Sequence, residues 1–114
     1  LQRTYPNLMT QEGGRGQEYN AWSTDGGNTP EHTATLPFTR MLSGPMDYTP
    51  GNFDFGYKTP NNAKVQTTLA SQLALYVIIF SPLQMASDLP ENYEGKPEFK
   101  FVKEVPCTWS DTKV

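Results

Sequence analysis

Glu12 and Glu18 stand six residues apart in a stretch running from Tyr5 to Trp22, with Gly13, Gly14, Arg15 and Gly16 between them and Tyr19 close behind. Two carboxylates on a glycine-bent loop beside aromatic faces are the equipment of a site that cleaves sugars or binds a cation. Glycine lets the backbone turn where other residues resist. A carboxylate held away from water is costly unless a cation or a hydrogen-bond donor meets it. The same residue types also fit a solvated, turn-rich surface loop, and on residue types alone both readings stand.

The elements that must position these acids read unevenly. Residues 1–34 hold no sustained period of 2 or 3.6, are dense in Gly, Asn, Thr and Pro, and read as one long structured loop. Tyr5, Tyr19 and Trp22 argue that this loop is ordered. The run from Thr35 to Leu42, closed by Ser43-Gly44-Pro45, predicts a buried strand over about residues 37–42, although Pro37 removes a ladder donor. Residues 44–62 are again loop, punctuated by Pro45, Pro50, Gly51, Gly56 and Pro60. From Lys64 to Phe80, Val65, Leu69, Leu73 and Val77, with Ala70, Ala74 and Phe80 adjoining, predict a helix that buries that stripe. Asn61 or Asn62 would cap it and Ser81-Pro82 would stop it. A second short strand over 83–86 completes a βαβ unit with a right-handed crossover, and residues 97–105 predict a short amphipathic helix entered through Pro97.

Charge and composition exclude several classes. A net charge of −3 does not suit a partner held mainly through phosphates, so nucleic acid is not expected. The longest apolar run, Leu73 to Phe80, is far short of the roughly 20 residues of a membrane-spanning helix. The single cysteine, Cys107, excludes an internal disulfide and gives no zinc cluster; it reads as a small hydrophobe after Pro106.

Ordered blocks along nearly the whole chain resemble glycoside hydrolase family 97, the calcium-dependent α-glucosidases and α-galactosidases. They are Arg3-Thr-Tyr-Pro-Asn-Leu8, Arg15-Gly-Gln-Glu-Tyr19, His32-Thr33, Leu36-Pro-Phe-Thr-Arg40, Gly44-Pro-Met-Asp-Tyr-Thr-Pro-Gly51, Gln72-Leu-Ala-Leu-Tyr-Val77, Ser81-Pro-Leu-Gln-Met-Ala86 and Asp88-Leu-Pro-Glu-Asn-Tyr93. The resemblance implies an α/β fold: residues 1–114 as roughly the last quarter of a (β/α)8 TIM barrel, a long N-terminal active-site loop followed by β-α-β-α. A complete barrel takes about 250 residues, so the chain reads as a C-terminal fragment of a longer enzyme. The loops at 44–62 and 87–96 would then join the acid-bearing loop on the catalytic face.

The same resemblance gives the two glutamates different work. Glu18 aligns with the general acid, which must stay protonated near neutral pH and needs a raised pKa to do so. Glu12 aligns with a glutamate that binds the calcium cofactor, whose six to eight oxygen ligands one glutamate cannot supply. The remaining ligands and the second catalytic carboxyl, a glutamate base or an aspartate nucleophile, are expected upstream of Leu1. The length of residues 20–32 favours the retaining, α-galactosidase-like branch.

Other residues carry two readings each. Asp47, just beyond the expected strand, either lines the sugar site or caps a turn. His32 either touches sugar or is a structural histidine beside Glu31. Tyr19 and Trp22 either stack on a sugar ring or fix their own loop. Arg15 pairs with a carboxylate and Arg40 anchors the strand end; Glu31, Asp54, Asp88, Glu91 and Glu94 read as solvated charges. The expected partner is an oligosaccharide or α-glycoside, with periplasmic or extracellular localisation implied by resemblance alone. A quarter barrel leaves strand edges and an apolar helix face open, so a homo-oligomer or the rest of the barrel is expected to cover them. The competing reading is a noncatalytic, self-associating or carbohydrate-binding α/β fragment.

Overall fold

The computed structural model describes residues 4–56 and 65–113. The chain builds helix α1 (Pro30–Thr35), α2 (Leu69–Ile78), α3 (Pro90–Tyr93) and α4 (Phe99–Glu104), with 3-10 turns at Gln17–Ala21, Leu36–Phe38 and Arg40–Ser43. Among the described residues no strand forms. The strand expected over 37–42 is instead two 3-10 turns, because Pro37 takes an early position of the first and fixes helical φ there.

The parallel pairing lies elsewhere in the chain. Tyr48 and Gln84 form one parallel bridge, flanked by bonds from the Met85 amide to the Tyr48 carbonyl at 3.1 Å and from Ser87 to Pro50 at 2.9 Å. Helix α2 crosses between the two paired segments, so the crossover expected from the sequence persists with its first limb near residue 48 and not at 37–42. The second limb meets the expected 83–86, but only as this isolated bridge. A ladder needs neighbours on both sides, and Pro50 has no amide to extend this one.

Helix α2 starts later than the periodicity implied. Its cap is Thr68, whose hydroxyl accepts from the Ser71 amide at 3.2 Å; Asn61 and Asn62 lie outside the described residues. Its buried face is Gln72, Leu75 and Tyr76, continued by Ile79, while Val77 and Ile78 are exposed. The expected stripe through Leu69, Leu73 and Val77 is therefore not the one that packs. The sequence of α2 is apolar nearly all round, so periodicity could not choose between its faces; contact with Met46 and Tyr48 does. Leu75 and Ile79 join Leu36, Met46 and Tyr48 in the core, with Met41 packed against it. Each aliphatic side chain so buried contributes about 1.5–3 kcal/mol.

The long N-terminal loop also carries α1, capped by Thr29, whose hydroxyl accepts from the His32 amide at 3.2 Å with Pro30 just inside the start. Helix α3 falls in the loop expected over 87–96. Asp88 is no free surface charge: its carboxylate accepts from the amides of Phe53 at 2.6 Å and Asp54 at 2.7 Å and from the Asn92 side chain at 2.6 Å. Burial pushes its pKa up, but the Asn92 bond and these amides outweigh that and hold it below the usual carboxylate range. Helix α4 lies within the expected 97–105, with Phe99 stacked on Tyr93 at 4.5 Å between ring centroids.

Gly51 joins these parts. It stands at φ 99°, and a Cβ there would come within 2.6 Å of the Tyr76 hydroxyl. That hydroxyl donates to the carbonyls of Pro50 at 3.2 Å and Met85 at 3.0 Å. Gly51→Ala should therefore combine left-handed strain with loss of the Tyr76 bonds, costing on the order of 2 kcal/mol or more. Thermal unfolding checks this, a midpoint within 1 °C of the parent's, by rough scaling, being the contrary result.

Candidate functional site

Each end of the segment carrying the two glutamates is tied down. Arg40 donates from Nη2 to the Gln11 carbonyl at 2.7 Å, and its Nη1 reaches the Gly44 carbonyl at 3.1 Å. At the other end the Gln17 amide donates to the Thr49 carbonyl at 2.7 Å. Between them Gly14 lies on Met46, where an added Cβ would approach the sulfur to 2.8 Å. Close backbone approach is what this glycine supplies.

The arch encloses a pocket of about 380 Å³ lined by Glu12, Gly14, Gly16, Glu18, Asp47, Thr49 and Met85. Three of the candidate acids, separated by up to 35 positions in the chain, thus share one cavity. The Glu18 side chain folds back over Gly16, and a methyl group on that glycine would land on the carboxylate. Glu18 Oε2 is buried and has no hydrogen-bond partner within the described chain. Burial pushes the Glu18 carboxyl above its usual pKa; the charge of Glu12 adds to this, while its own backbone amide and the Thr49 hydroxyl pull the other way. Asp47 accepts from the Thr10 hydroxyl at 3.3 Å.

The aromatic candidates and the histidine lie apart from this pocket. Arg15 stands over the Tyr19 ring at 4.3 Å and Trp22 meets that ring edge-on at 6.2 Å. Arg15 also pairs with Asp25 at 2.8 Å, and Asp25 is held to its turn by the Ser23 hydroxyl at 2.6 Å. These contacts serve the reading in which Tyr19 and Trp22 fix their own loop. His32 is exposed on α1 and does not line the pocket.

Residues passed over by motif reading hold the site together. Gln17 donates from Nε2 to the Tyr48 hydroxyl at 3.1 Å, and its Oε1 accepts from Asn20 at 3.0 Å and from Gln72 at 3.2 Å. Asn28 bonds the Gly16 carbonyl at 2.7 Å through its side chain and the Asn20 side chain at 2.7 Å through its amide. One signal was available: Gln72 is a lone amide inside the apolar run of α2.

Carboxylate oxygens are the donors that calcium takes, and Glu12 and Asp47 offer them at the pocket. Among the described residues, however, no group of three His, Cys, Asp or Glu could hold a metal ion. Calcium needs six to eight oxygens, so the donors fit in kind and fall short in number. No helix among the described residues is long and apolar enough to cross a membrane.

No family model matches the chain. It is 40% identical over its whole length to a retaining alpha-galactosidase of Bacteroides thetaiotaomicron, and spans 18% of that relative. Its structure matches a glycoside hydrolase family 97 enzyme of Pseudoalteromonas sp. strain K8 in complex with panose, with a TM-score of 0.83 and 56% identity over 96% of the chain and 17% of the other. The same organism's enzyme in complex with acarbose matches at a TM-score of 0.83 and 57% identity, with the same coverage. The chain spans less than a fifth of the length of each of these proteins. Over nearly all its residues, sequence and backbone alike, the chain is similar to a segment of glycoside hydrolase family 97 enzymes.

Proposed function

We propose that the chain is part of an α-glycosidase, a C-terminal portion of a family 97 catalytic barrel over residues 1–114, to which it contributes the general acid Glu18 and one calcium ligand, Glu12. The observation that carries this reading is the shared pocket, in which a buried, unpartnered carboxyl oxygen of Glu18 lies beside Glu12 and Asp47. A carboxyl whose proton is held more tightly by burial can hand it to a departing glycosidic oxygen. Asp47 would bind a sugar hydroxyl at the pocket wall. A calcium ion would supply positive charge beside the sugar, with Glu12 as one ligand and the remaining ligands and the second catalytic carboxyl coming from parts of the enzyme beyond this segment.

The substrate we infer is an α-linked oligosaccharide. The identity of 56–57% to an enzyme in complex with panose and acarbose, against 40% to a retaining alpha-galactosidase, favours an α-glucosyl over an α-galactosyl unit, contrary to what the length of residues 20–32 suggested. The rest of the barrel would cover the apolar groove of about 870 Å³ that Phe38, Val77, Ile78 and Phe101 help to line. Export to the periplasm or cell surface belongs to the same proposal.

Glu18→Gln in the full-length enzyme should slow hydrolysis of a disaccharide about 100-fold or more than it slows that of a nitrophenyl α-glycoside, whose leaving group needs little protonation. Equal losses on both substrates would remove Glu18 from the acid role.

The raised pKa also has a signature in stability. The folded state binds the Glu18 proton more tightly than the unfolded state, so its favourable contribution is complete below the ordinary glutamate value of 4.5 and is lost as pH rises through the folded value. Glu18→Gln should accordingly raise the unfolding midpoint relative to the parent at neutral pH, with the gain vanishing at low pH. A gain independent of pH would contradict the assignment.

Glu12→Gln should weaken calcium binding by about tenfold or more, because one charged oxygen ligand becomes neutral while the others remain. Calcium titration of the chelator-treated enzyme reads this directly, and identical affinities for parent and variant would exclude Glu12 from the shell.

A further inference from the structure

We propose that the buried amide pair Gln17 and Gln72 is a positioning device for the acid, holding the backbone that carries Glu18 at a set distance from the opposite wall of the pocket; this rests on the reading of Glu18 as the general acid. Gln72 is completely buried on α2, where an unsatisfied amide would cost on the order of several kcal/mol. It meets that cost with four bonds. Its Oε1 accepts from the amides of Gly51 at 2.8 Å and Asn52 at 3.0 Å. Its Nε2 donates to Gln17 Oε1 at 3.2 Å and to the Thr67 hydroxyl at 2.9 Å.

Gln17, 2% exposed, immediately precedes Glu18 and is bonded just as fully. Besides its side-chain bonds to Tyr48, Asn20 and Gln72, its amide donates to the Thr49 carbonyl and its carbonyl accepts from Asn52 Nδ2 at 3.4 Å. The segment bearing the acid and the segment bearing Thr49 and Gly51 are therefore both fastened to the one side chain on α2. An aliphatic residue would fill position 72 without such directionality. A proton donor misplaced by about 1 Å can lose about a hundredfold in rate, and this is the error the amide pair prevents.

The test uses a full-length family 97 enzyme carrying this segment. Gln72→Met, close in length and unable to make these bonds, should lower kcat on a disaccharide about tenfold or more with little change in kcat on a nitrophenyl α-glycoside. In a Glu18→Gln background the same substitution should cost nothing further on the disaccharide, since the group it positions is already disabled. Equal losses on both substrates, or the full loss persisting in the Glu18→Gln background, would show a merely structural pair and overturn the proposal. If Gln72→Met does not fold, Tyr48→Phe, which removes the hydroxyl that Gln17 Nε2 bonds, carries the same two expectations and the same contrary results. Should Glu18→Gln by itself slow both substrates equally, the acid assignment fails first and this proposal falls with it; a selective Glu18→Gln with unselective Gln72→Met and Tyr48→Phe sinks this proposal alone.

Discussion

The side chain of Gln72 is the contact on which the remaining structure depends. Apart from Gln72, helix α2 is held to the chain around it by the apolar contacts of Leu75 and Ile79, by the Tyr76 hydroxyl, and at its end by Gln84, whose Nε2 donates to the Tyr76 and Ile79 carbonyls. A buried amide adds direction, because its donors and acceptor must be met at fixed angles or remain costly. By binding Gly51, Asn52, Gln17 and Thr67 at once, Gln72 adds direction to the packing of Leu75 and Ile79 on Met46 and Tyr48, and places two irregular segments against α2. Irregular backbone buried in this way must find partners for its polar groups outside regular secondary structure. Side-chain amides take that part here: Gln17, Asn20, Asn28, Asn52 and Gln72 are all buried and all bonded.

The chemistry of the pocket follows from that arrangement. Folding Glu18 back over Gly16 puts one carboxyl oxygen out of reach of solvent without giving it a donor, and burial then favours the neutral acid. Asp88, also partly buried, shows the opposite outcome. Backbone amides and Asn92 converge on its carboxylate, the charged form is favoured, and the residue joins Phe53 and Asp54 to α3. The balance between burial and the donors each carboxylate meets holds Asp88 below the ordinary carboxylate range and Glu18 above it.

Outside the pocket the chain presents an unusual amount of apolar surface. Leu42, Phe38, Leu89 and Val77 are each more than half exposed, at 81%, 60%, 60% and 52%. A contiguous groove among such residues is more than scattered surface hydrophobes would give. Helix α2, apolar on both sides, turns one face inward and leaves Val77 and Ile78 exposed on the other, in a chain that spans only about a sixth of the length of its structural relatives.

The sequence by itself determined the resemblance to the family, the turn-rich character of the acid-bearing segment and the existence of α2 and α4, and it nominated Glu12, Glu18 and Asp47, which the structure brings to one pocket. These features reside in ordered motifs and in local preferences, which survive without knowledge of neighbours. Tertiary structure alone decided which face of α2 is buried, because Leu69, Leu73 and Val77 are as apolar as Leu75 and Ile79, and contact with Met46 and Tyr48 together with the bonds of Gln72 distinguishes them. It decided that residues 37–42 coil into 3-10 turns while residue 48 takes the parallel partner, since a strand exists only where another segment accepts its hydrogen bonds. It also separated Tyr19, Trp22 and His32 from the pocket and brought in Gln17 and Gln72. An amide's role depends on what stands opposite it, and residues 55 positions apart meet only after the chain has folded.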